Sequence, residues 1–389
     1  MPHEARSRSL NLRYVFDERL PGTGADTEQV VNTVAALGRQ QVNVRLLIPG
    51  TATGAGDFAA LSEYYHVTGK FGVDLLRIAA GPRAVEKWSH AVRATRDSRV
   101  QDADLIYTRN LPALFCFLRR GYPVAYEHFR PWPDQFPILR PALRWMFRQP
   151  NLVAGVFHSA HTRDSFLRLG APAERCLVAH NGWDPARMRP ELSKAAARVR
   201  IGVPETAAIA VYTGRMNRKK GLDLVLEAAR RLPEVLFVLV GSEGEGPIET
   251  EARTIANTRT VPWQRFGDLA PYLYAADVLL IPPSLEPLER HGNTVLPIKL
   301  FLYLAAGRAI LAPTAPDTAE LLSNGHNAAL VPPGDIEAMV NILRRLVSDP
   351  AYSSGLGAQA REMAQSLTWD HRAVRIRDFL ASRLSLASC

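Results

Sequence analysis

The chain has 389 residues, more than one hydrophobic core usually supports, so two domains of ordinary size are expected. It is 47% hydrophobic and 22% charged, as globular proteins are, and no apolar run reaches the ~18 residues of a membrane span. The net charge of +9 favours anionic small molecules or an anionic membrane face, and no basic helix or aromatic strand pattern favours nucleic acid. The N-terminus lacks a signal-peptide core, and three widely spaced cysteines without zinc spacing are typical of a reducing compartment, so a cytoplasmic location is predicted.

Strand-length apolar runs alternate with helix-period segments, which predicts an α/β protein with doubly wound parallel sheets. The predicted strands of the first half cover residues 11–16, 42–48, 104–107, 124–127, 155–158 and 175–179. Those of the second half cover residues 208–213, 235–240, 260–261, 278–282 and 309–312. The turn-rich stretch 180–190 is the predicted linker, so the domains are expected at 1–185 and 186–370, with a cleft between them.

In the first domain, the sequence Pro21–Gly22–Thr23–Gly24 separates the first strand from a helix predicted over 26–37. A loop between a strand and a helix N-terminus binds anions, because the N–H groups of the first helical turn and the helix dipole point at the ligand. A single G-x-G is a weak signal, and it makes this loop a candidate phosphate site.

The second domain contains a stronger signal of the same kind, in the sequence AVYTGRMNRKKG. An apolar strand ends in Gly214, Arg215 follows at once, and Lys220 precedes a helix with one apolar face. Arg215 can bind a phosphate bidentately and Lys220 can add a point charge. The alternative is a solvated basic loop.

The second half also resembles family 4 retaining glycosyltransferases (glycosyl transferases group 1). The similar segments are YTGRMNRKKG, LVGSEGEG, LYAADVLLIPPS, KLFLYLAAGRAILAP and HNAALVPPGD. In the first half, YEHF and SAHTRDSFLRLGAPAERCLVAHNGWD resemble the same family, as does TWDHRAVRIRDFL at the end of the chain. The segments are collinear and cover about residues 11 to 380.

This resemblance implies the GT-B fold, in which two Rossmann-like domains face each other across a cleft and the last helix, here 371–389, packs back on the first domain. It implies transfer of a sugar from a UDP- or GDP-linked donor to a hydroxyl with retained configuration, by a metal-independent hexosyltransferase with no further cofactor. Arg215 and Lys220 would hold the donor diphosphate and stabilise its developing charge. A metal-binding role for the D-x-D sequence at Asp102 and Asp104 would imply a different glycosyltransferase fold.

The resemblance also implies the other site residues. His128, at the end of VAYEHF, would line the cleft as a catalytic residue, and the alternative is a strand-end histidine satisfied by the backbone. The donor-binding candidates are Gly22, Thr23, Gly24, Gly214, Gly241, Glu243, Trp263, Glu289, Asn293, Thr294 and Lys299. Trp263 would lie near the nucleotide base, or it is a packed surface tryptophan.

One departure from the family pattern concerns the ribose. The family has two glutamates eight residues apart before its A-A-G sequence, and these positions are Thr294 and Leu302 here. Leucine cannot accept a hydrogen bond from a ribose hydroxyl. Glu286 and Glu289 lie upstream as substitutes, or as solvated loop charges.

Residues 129–149 combine aromatic side chains with Arg140, Arg144 and Arg148, spaced as one basic stripe on a helix. Such a segment can contact an anionic membrane at the inner face, or bind an acidic acceptor, or be a packed helix with solvated arginines. A metal interpretation of His158 with His161 and His180 lacks the carboxylate or cysteine that a typical first shell needs.

Two rivals to a glycosyltransferase remain open. The first is an enzyme of the same fold with altered chemistry, such as a phosphorylase-like or non-glycosidic coupling reaction. The second is a degenerate member that binds a sugar or a partner without turnover, for which the missing glutamates are the best argument. The acceptor of the leading hypothesis is a sugar, a lipid-linked molecule or another small molecule.

Overall fold

The structure is a computed structural model that describes residues 9–285 and 296–387. It divides into two compact units. Unit 1 comprises Met1–Asn181 and Trp369–Cys389, and unit 2 comprises Gly182–Thr368. The chain therefore passes between the units at 181/182 and 368/369, against predicted boundaries of 185/186 and 370/371.

Unit 1 is built around one eight-stranded sheet. Its strands are β1 (Asn11–Val15), β2 (Asn43–Gly50), β3 (Gly54–Ala55), β4 (Gly72–Arg77), β5 (Leu105–Thr108), β6 (Val124–His128), β7 (Leu152–Phe157) and β8 (Cys176–Val178). The spatial order is β3-β4-β2-β1-β5-β6-β7-β8, and every neighbouring pair is parallel except β3 with β4.

The helices of unit 1 connect these strands. They are α1 (Ala25–Arg39), α2 (Phe58–Tyr65), α3 (Arg83–Ala94), α4 (Leu111–Arg119), α5 (Trp132–Gln135), α6 (Arg140–Arg148), α7 (Ala160–Leu169) and the last helix of the chain, α15 (Trp369–Ala387). Helix α15 packs against α1 and β7, and Arg39 on α1 forms an ion pair of 2.7 Å with Asp370.

Unit 2 contains a six-stranded sheet in which all neighbouring strands are parallel. Its strands are β9 (Ala208–Thr213), β10 (Val235–Ser242), β11 (Thr258–Pro262), β12 (Val278–Leu280), β13 (Ala309–Pro313) and β14 (Ala329–Val331), in the order β11-β10-β9-β12-β13-β14. Its helices are α8 (Lys194–Ile201), α9 (Leu222–Arg231), α10 (Pro247–Ala252), α11 (Ala270–Ala275), α12 (Lys299–Ala306), α13 (Ile336–Ser348) and α14 (Pro350–Ala364).

Each sheet reverses its strand order once. In unit 1 the chain moves from β1 to β2 on one side and later to β5 on the other; in unit 2 it moves from β9 to β10 and later to β12. Open parallel sheets bind ligands outside the carboxyl ends of the strands at such a switch point. The topology therefore directs attention to the loops after β1 and β5, and after β9 and β12.

The inner strands of unit 2 are largely apolar because helices cover both faces of the sheet, whereas the edge strand β11 is polar. In β9, Ile209 and Val211 belong to one buried cluster, while Ala210 and Tyr212 belong to the cluster on the opposite face. This alternation follows from the two-residue period of a strand.

Three strands were not predicted, namely β3, β4 and β14. In β4 the buried Asp74 interrupts the apolar run, and its charge is compensated by Arg45 at 2.6 Å and Arg99 at 3.0 Å. Strand β14 has only three residues before a Pro-Pro turn, which is typical of a loop. Strand β12 ends at Leu280, so the predicted extension to residue 282 is wrong.

Candidate functional site

The loop after β9 lies at the switch point of unit 2 and contains the strongest sequence signal. Gly214 begins this loop with φ of +128°, and Gly241 at the end of β10 has φ of +121°, values that favour glycine. A Cβ atom on Gly241 would lie 2.5 Å from the carbonyl oxygen of Gly214. The two glycines thus allow the carboxyl ends of β9 and β10 to approach closely, and they leave backbone groups exposed at the surface of the loop.

Two buried tyrosines hold this loop in place. The hydroxyl of Tyr303 accepts the N–H of Thr213 at 2.8 Å, and the hydroxyl of Tyr212 donates to the carbonyl of Arg215 at 2.9 Å. Both side chains are almost fully buried. Because rigid donors cost no reorganisation when a ligand's charge develops, a fixed loop is suited to electrostatic catalysis.

Lys299 places a buried ammonium group against the same loop. Its Nζ donates to the carbonyl of Thr213 at 2.7 Å and lies 3.6 Å from the centre of the Tyr212 ring. Burial, and then the positive charge of Lys220, lower the pKa of Lys299 well below its usual value. Within residues 9–285 and 296–387 Lys299 forms no ion pair, so a bound anion would relieve the repulsion between the two lysines.

Arg215 and Lys220 lie on the loop itself. The Nε atom of Arg215 is 3.4 Å from the carboxylate of Glu243, and both side chains are about half exposed, at 53% and 46%. Lys220 ends a short 3₁₀ turn directly before Gly221, the N-cap of α9. A Cβ atom on Gly221 would lie 2.9 Å from Pro282, so the loop also contacts the segment that follows β12.

Two further predicted positions of unit 2 have packing roles. The backbone N–H of Trp263 donates to the carbonyl of Ser242 at 2.8 Å, and its indole ring packs edge to face on Phe266, with ring centres 5.9 Å apart. Leu302, at the position of the second family glutamate, lies on α12 and packs against the apolar core of the unit. Glu286, Glu289, Asn293 and Thr294 lie outside the described residues.

In unit 1, the loop of Gly22, Thr23 and Gly24 follows β1 and ends at the N-cap of α1. The hydroxyl of Thr27 donates to the carbonyls of Gly22 and Gly24 at 2.9 and 2.7 Å. The Tyr65 hydroxyl lies 2.7 Å from the Gly22 nitrogen. The loop is therefore ordered by side chains from two helices.

His128 ends β6 and is only 1% exposed. Its Nδ1 atom lies 3.0 Å from the Tyr126 hydroxyl, and Trp132 and Phe166 pack edge to face on the ring. Its Nε2 atom is buried and has no hydrogen-bond partner in the described part of the chain. Burial, and then the positive charge of Arg109, lower its pKa well below the usual value, so the imidazole is neutral at pH 7.

Glu127, the neighbour of His128 in sequence, points to the opposite side and forms the centre of a buried network. Its carboxylate accepts hydrogen bonds from Tyr14 at 2.8 Å, Gln29 at 2.7 Å and His158 at 2.8 Å, and pairs with Arg372 of α15. Burial alone would raise the pKa of Glu127, but the charge of Arg372 and the hydrogen bond from His158 hold it below its usual range. His158 therefore binds a carboxylate in this structure.

The D-x-D sequence directly precedes β5, at the opposite end of the strands of unit 1 from the loops described above. Asp104 accepts the backbone N–H of Asn11 at 2.8 Å and Asp102 pairs with Arg13 at 2.8 Å, both at the amino ends of their strands. Among the described residues, no group of three or more His, Cys, Asp and Glu side chains is arranged to hold a metal ion.

The basic stripe of residues 129–149 lies on α6, as its spacing predicts. Arg140 and Arg144 donate to the carbonyls of Pro133 and Leu169 at 2.6 and 3.2 Å. The opposite face of α6 is buried, and Ile138 just before the helix is 88% exposed. In the part of the chain that the structure describes, no helix combines the length and apolar character of a membrane span.

Five residues at these loops were not singled out from the sequence, namely Tyr212, Tyr303, Arg109, Arg130 and Arg372. Tyr303 follows Lys299 by four residues on α12, and this helical spacing was the available signal. Arg130 and Arg372 lie in segments that the sequence analysis names, but no spacing within those segments distinguishes them from the other arginines there.

Residues 207–349, which lie wholly in unit 2, match the family model described as Glycosyl transferases group 1. A D-inositol 3-phosphate glycosyltransferase of Streptomyces bingchenggensis is 28% identical over 232 residues, 55% of this chain and 49% of that protein. The lipopolysaccharide core biosynthesis glycosyltransferase LpsE of Rhizobium meliloti is 27% identical over 169 residues, 42% of this chain and 47% of that protein. The chain spans about half the length of these curated relatives.

The fold matches solved structures over almost the whole chain. Anabaena Alr3699/HepE, crystallised in complex with UDP and glucose, superposes with a TM-score of 0.73 at 18% identity, covering 96% of this chain and 100% of that chain. These findings confirm the GT-B class of fold and the predicted resemblance to the group 1 glycosyltransferases. Membership of family 4 in particular stays a prediction.

Proposed function

We propose that this protein is a retaining hexosyltransferase that moves a sugar from a nucleoside-diphosphate donor to a hydroxyl acceptor, in bacterial glycan, glycolipid or natural-product glycoside synthesis. The observation that carries the proposal is the concentration of positive charge at the carboxyl end of β9. Arg215 and Lys220 lie on this loop, and the buried ammonium of Lys299 binds the carbonyl of Thr213 directly before it. The names of the curated relatives and the UDP bound to HepE support the same class of reaction.

The chemistry follows from the leaving group. When the glycosidic bond breaks, negative charge accumulates on the diphosphate, and fixed cations stabilise that charge without a metal ion. The departing phosphate oxygen takes the proton of the attacking acceptor hydroxyl on the same face of the sugar. This front-face reaction retains the anomeric configuration and requires no carboxylate base.

The neighbouring side chains suit the rest of the donor. Glu243 lies beside Arg215 and the indole of Trp263 follows the end of β11, where the nucleotide base would lie. The imidazole of His128, neutral at pH 7, would serve the donor sugar or acceptor as a hydrogen-bonding group. Leu302 leaves the ribose without its usual carboxylate, and Glu289 is the substitute we propose.

A panel of UDP- and GDP-sugars, followed by slow donor hydrolysis and by thermal shift, tests the proposal without knowledge of the acceptor. We expect one nucleotide to raise the melting temperature, because a ligand of the folded state stabilises it by mass action. Hydrolysis should persist in EDTA. Loss in EDTA with rescue by Mn²⁺ would contradict metal independence.

The leucine at position 302, where the family has a glutamate, favours a second candidate function. This candidate is a degenerate GT-B protein that binds a sugar or a partner without turnover. Nucleotide binding with no hydrolysis and no transfer would support it. Turnover that depends on inorganic phosphate and needs no nucleotide would instead indicate a phosphorylase-like reaction.

A further inference from the structure

A pair of arginines lies at the carboxyl ends of β5 and β6 in unit 1, beside the switch point of that sheet. Arg109 directly follows β5, and Arg130 follows His128 by two residues. Both guanidinium groups lie over the ring of Phe129, with their central carbons 4.9 and 5.4 Å from its centre. Cation–π attraction thus holds both guanidinium groups on one aromatic side chain beside His128. We call Arg109, Phe129 and Arg130 the arginine cluster.

The charge of this cluster is not compensated within the described residues, where neither arginine forms an ion pair. The nearby carboxylate of Glu127 is already occupied by Arg372 and three hydrogen-bond donors. Because Arg372 balances Glu127, Arg109 and Arg130 together leave two excess positive charges. A buried guanidinium group without a carboxylate partner, such as that of Arg109, is unfavourable unless an anion joins it.

The hydrogen-bonding capacity of the cluster is also unfilled. Arg109 is only 9% exposed, and it donates through Nη1 alone, to Gln29 at 2.6 Å and to the carbonyl of Asp26 at 3.3 Å. The Nε atom of Arg130 is buried, and so is Nε2 of His128; neither has a partner in the described part of the chain. The charges of both arginines also act on His128, since they contribute to its lowered pKa.

We propose that the arginine cluster binds a phosphate monoester carried by the acceptor. A phosphate monoester has a charge of about −1.5 to −2 at pH 7 and three strong acceptor oxygens, which match two guanidinium groups better than a carboxylate does. The proposal rests on the proposed function, in which unit 1 supplies the acceptor side. It narrows the acceptor from any hydroxyl compound to a phosphorylated one.

The binding test uses the full chain carrying Arg215→Ala and Lys220→Ala, so that phosphate binding at the loop of unit 2 is weakened. Inorganic phosphate is titrated into this protein by calorimetry at constant ionic strength. Adding Arg109→Gln or Arg130→Gln should weaken binding by roughly tenfold each, the scale of one hydrogen bond to a charged group. The matched control replaces the exposed Arg93 and Arg96 by Gln and should leave binding unchanged.

The Arg130→Gln variant keeps the test valid if Arg109→Gln fails to fold, since the side chain of Arg130 touches only Phe129 among the interactions described. Phosphate binding that is absent from the parent variant, or indifferent to both substitutions, would overturn the proposal. Binding of glucuronate as tight as that of inorganic phosphate would also overturn it, because the site would then not distinguish a phosphate from a carboxylate.

The source of the phosphate is tested by turnover in the wild-type chain. Hexose 6-phosphates should accelerate consumption of the donor sugar more than the neutral hexoses do, and this difference should vanish in Arg130→Gln. Acceleration by inorganic phosphate alone would contradict an acceptor role. We expect Arg130→Gln to keep donor hydrolysis and to lose the preference for phosphorylated acceptors. This result separates the inference from the proposed function, which fails only if no donor is hydrolysed at all.

Discussion

The two units share an architecture, but the charged side chains at their switch points differ in how they are paired and buried. In unit 2 the cations lie on or against one loop, where the half-exposed carboxylate of Glu243 lies beside Arg215. In unit 1 the carboxylate of Glu127 is fully buried and is surrounded by donors from β1, α1, α15 and the segment after β7.

This difference distinguishes charges that stabilise the fold from charges that are available to bind a ligand. A buried, fully satisfied network orients the elements that contribute to it, and it is costly to break. Cations without a buried counter-ion instead carry a desolvation cost that an anionic ligand offsets. Unit 1 contains both arrangements side by side, with Glu127 and Arg372 in the first class and Arg109 and Arg130 in the second.

The largest expected effect comes from breaking the buried pair. Glu127→Ala should lower the free energy of unfolding of unit 1 by about 3–5 kcal/mol, because Arg372 would keep an uncompensated buried charge. Unit-resolved hydrogen exchange is the measurement. Arg377→Met on the exposed side of α15 is the control. A loss no greater than that of the control would show that the network is not structural.

The cations of unit 2 should affect catalysis and leave stability unchanged. Arg215→Ala and Lys220→Ala should each lose about 2–4 kcal/mol of transition-state stabilisation, measured as kcat/KM for the donor. The adjacent, exposed Lys219→Ala is the matched control. Turnover like that of the wild type in either variant would remove the diphosphate assignment.

Acid should destabilise unit 1 through its buried histidines. Burial lowers the pKa of His90 to about 4, and neither ring nitrogen has a partner within the described residues. The unfolded state therefore binds more protons between pH ~6.5 and ~4, and stability falls as pH falls through that window. His90→Leu should remove up to ~1.4 kcal/mol per pH unit from this slope, read from urea unfolding.

His326→Gln, at an exposed histidine of unit 2, is the matched control for replacing one histidine of the chain. An identical acid slope in His90→Leu would mean that this histidine is not buried in its neutral form.

Restoring a carboxylate at position 302 tests which residue binds the ribose. Leu302→Glu is expected to tighten nucleotide binding by roughly tenfold if it reaches a ribose hydroxyl, and Leu302→Gln should do less because it lacks the charge. Glu289→Gln should weaken binding in the wild-type background. Tight wild-type binding that ignores Glu289 would refute that substitute, and binding only in Leu302→Glu would favour the degenerate protein.

The smallest effect concerns the basic stripe of α6. Replacing Arg140, Arg144 and Arg148 by Gln should weaken sedimentation with anionic vesicles by at most ~1 kcal/mol per arginine, since two of them already donate to carbonyls. Binding should fall as salt rises. A higher acceptor KM without vesicle binding would indicate an acidic acceptor. If neither vesicle binding nor the acceptor KM changes, the stripe is the solvated face of a packed helix.

Much of this protein was open to prediction because its determinants are local. Apolar runs of strand length alternate with helical periods, and this pattern predicted the parallel sheets around β9 and β10 without knowledge of any contact. The strand–Gly214–Arg215 junction was readable for the same reason, since a strand end, a glycine and a helix start are adjacent in sequence. Strand β4 was missed because its buried Asp74 is tolerable only with Arg45 and Arg99, which lie 29 and 25 residues away.

Only the tertiary structure decided which charges are paired. Glu127 and Arg372 are separated by 245 residues, and Arg372 looks in sequence like any other arginine of the last helix. Arg109 and Arg130 both contact the ring of Phe129 because β5 and β6 are neighbours in the sheet, which no spacing along the chain reveals. Strand and helix periods are fixed by near-neighbour geometry, whereas the compensation of a buried charge depends on what the fold brings within hydrogen-bond distance.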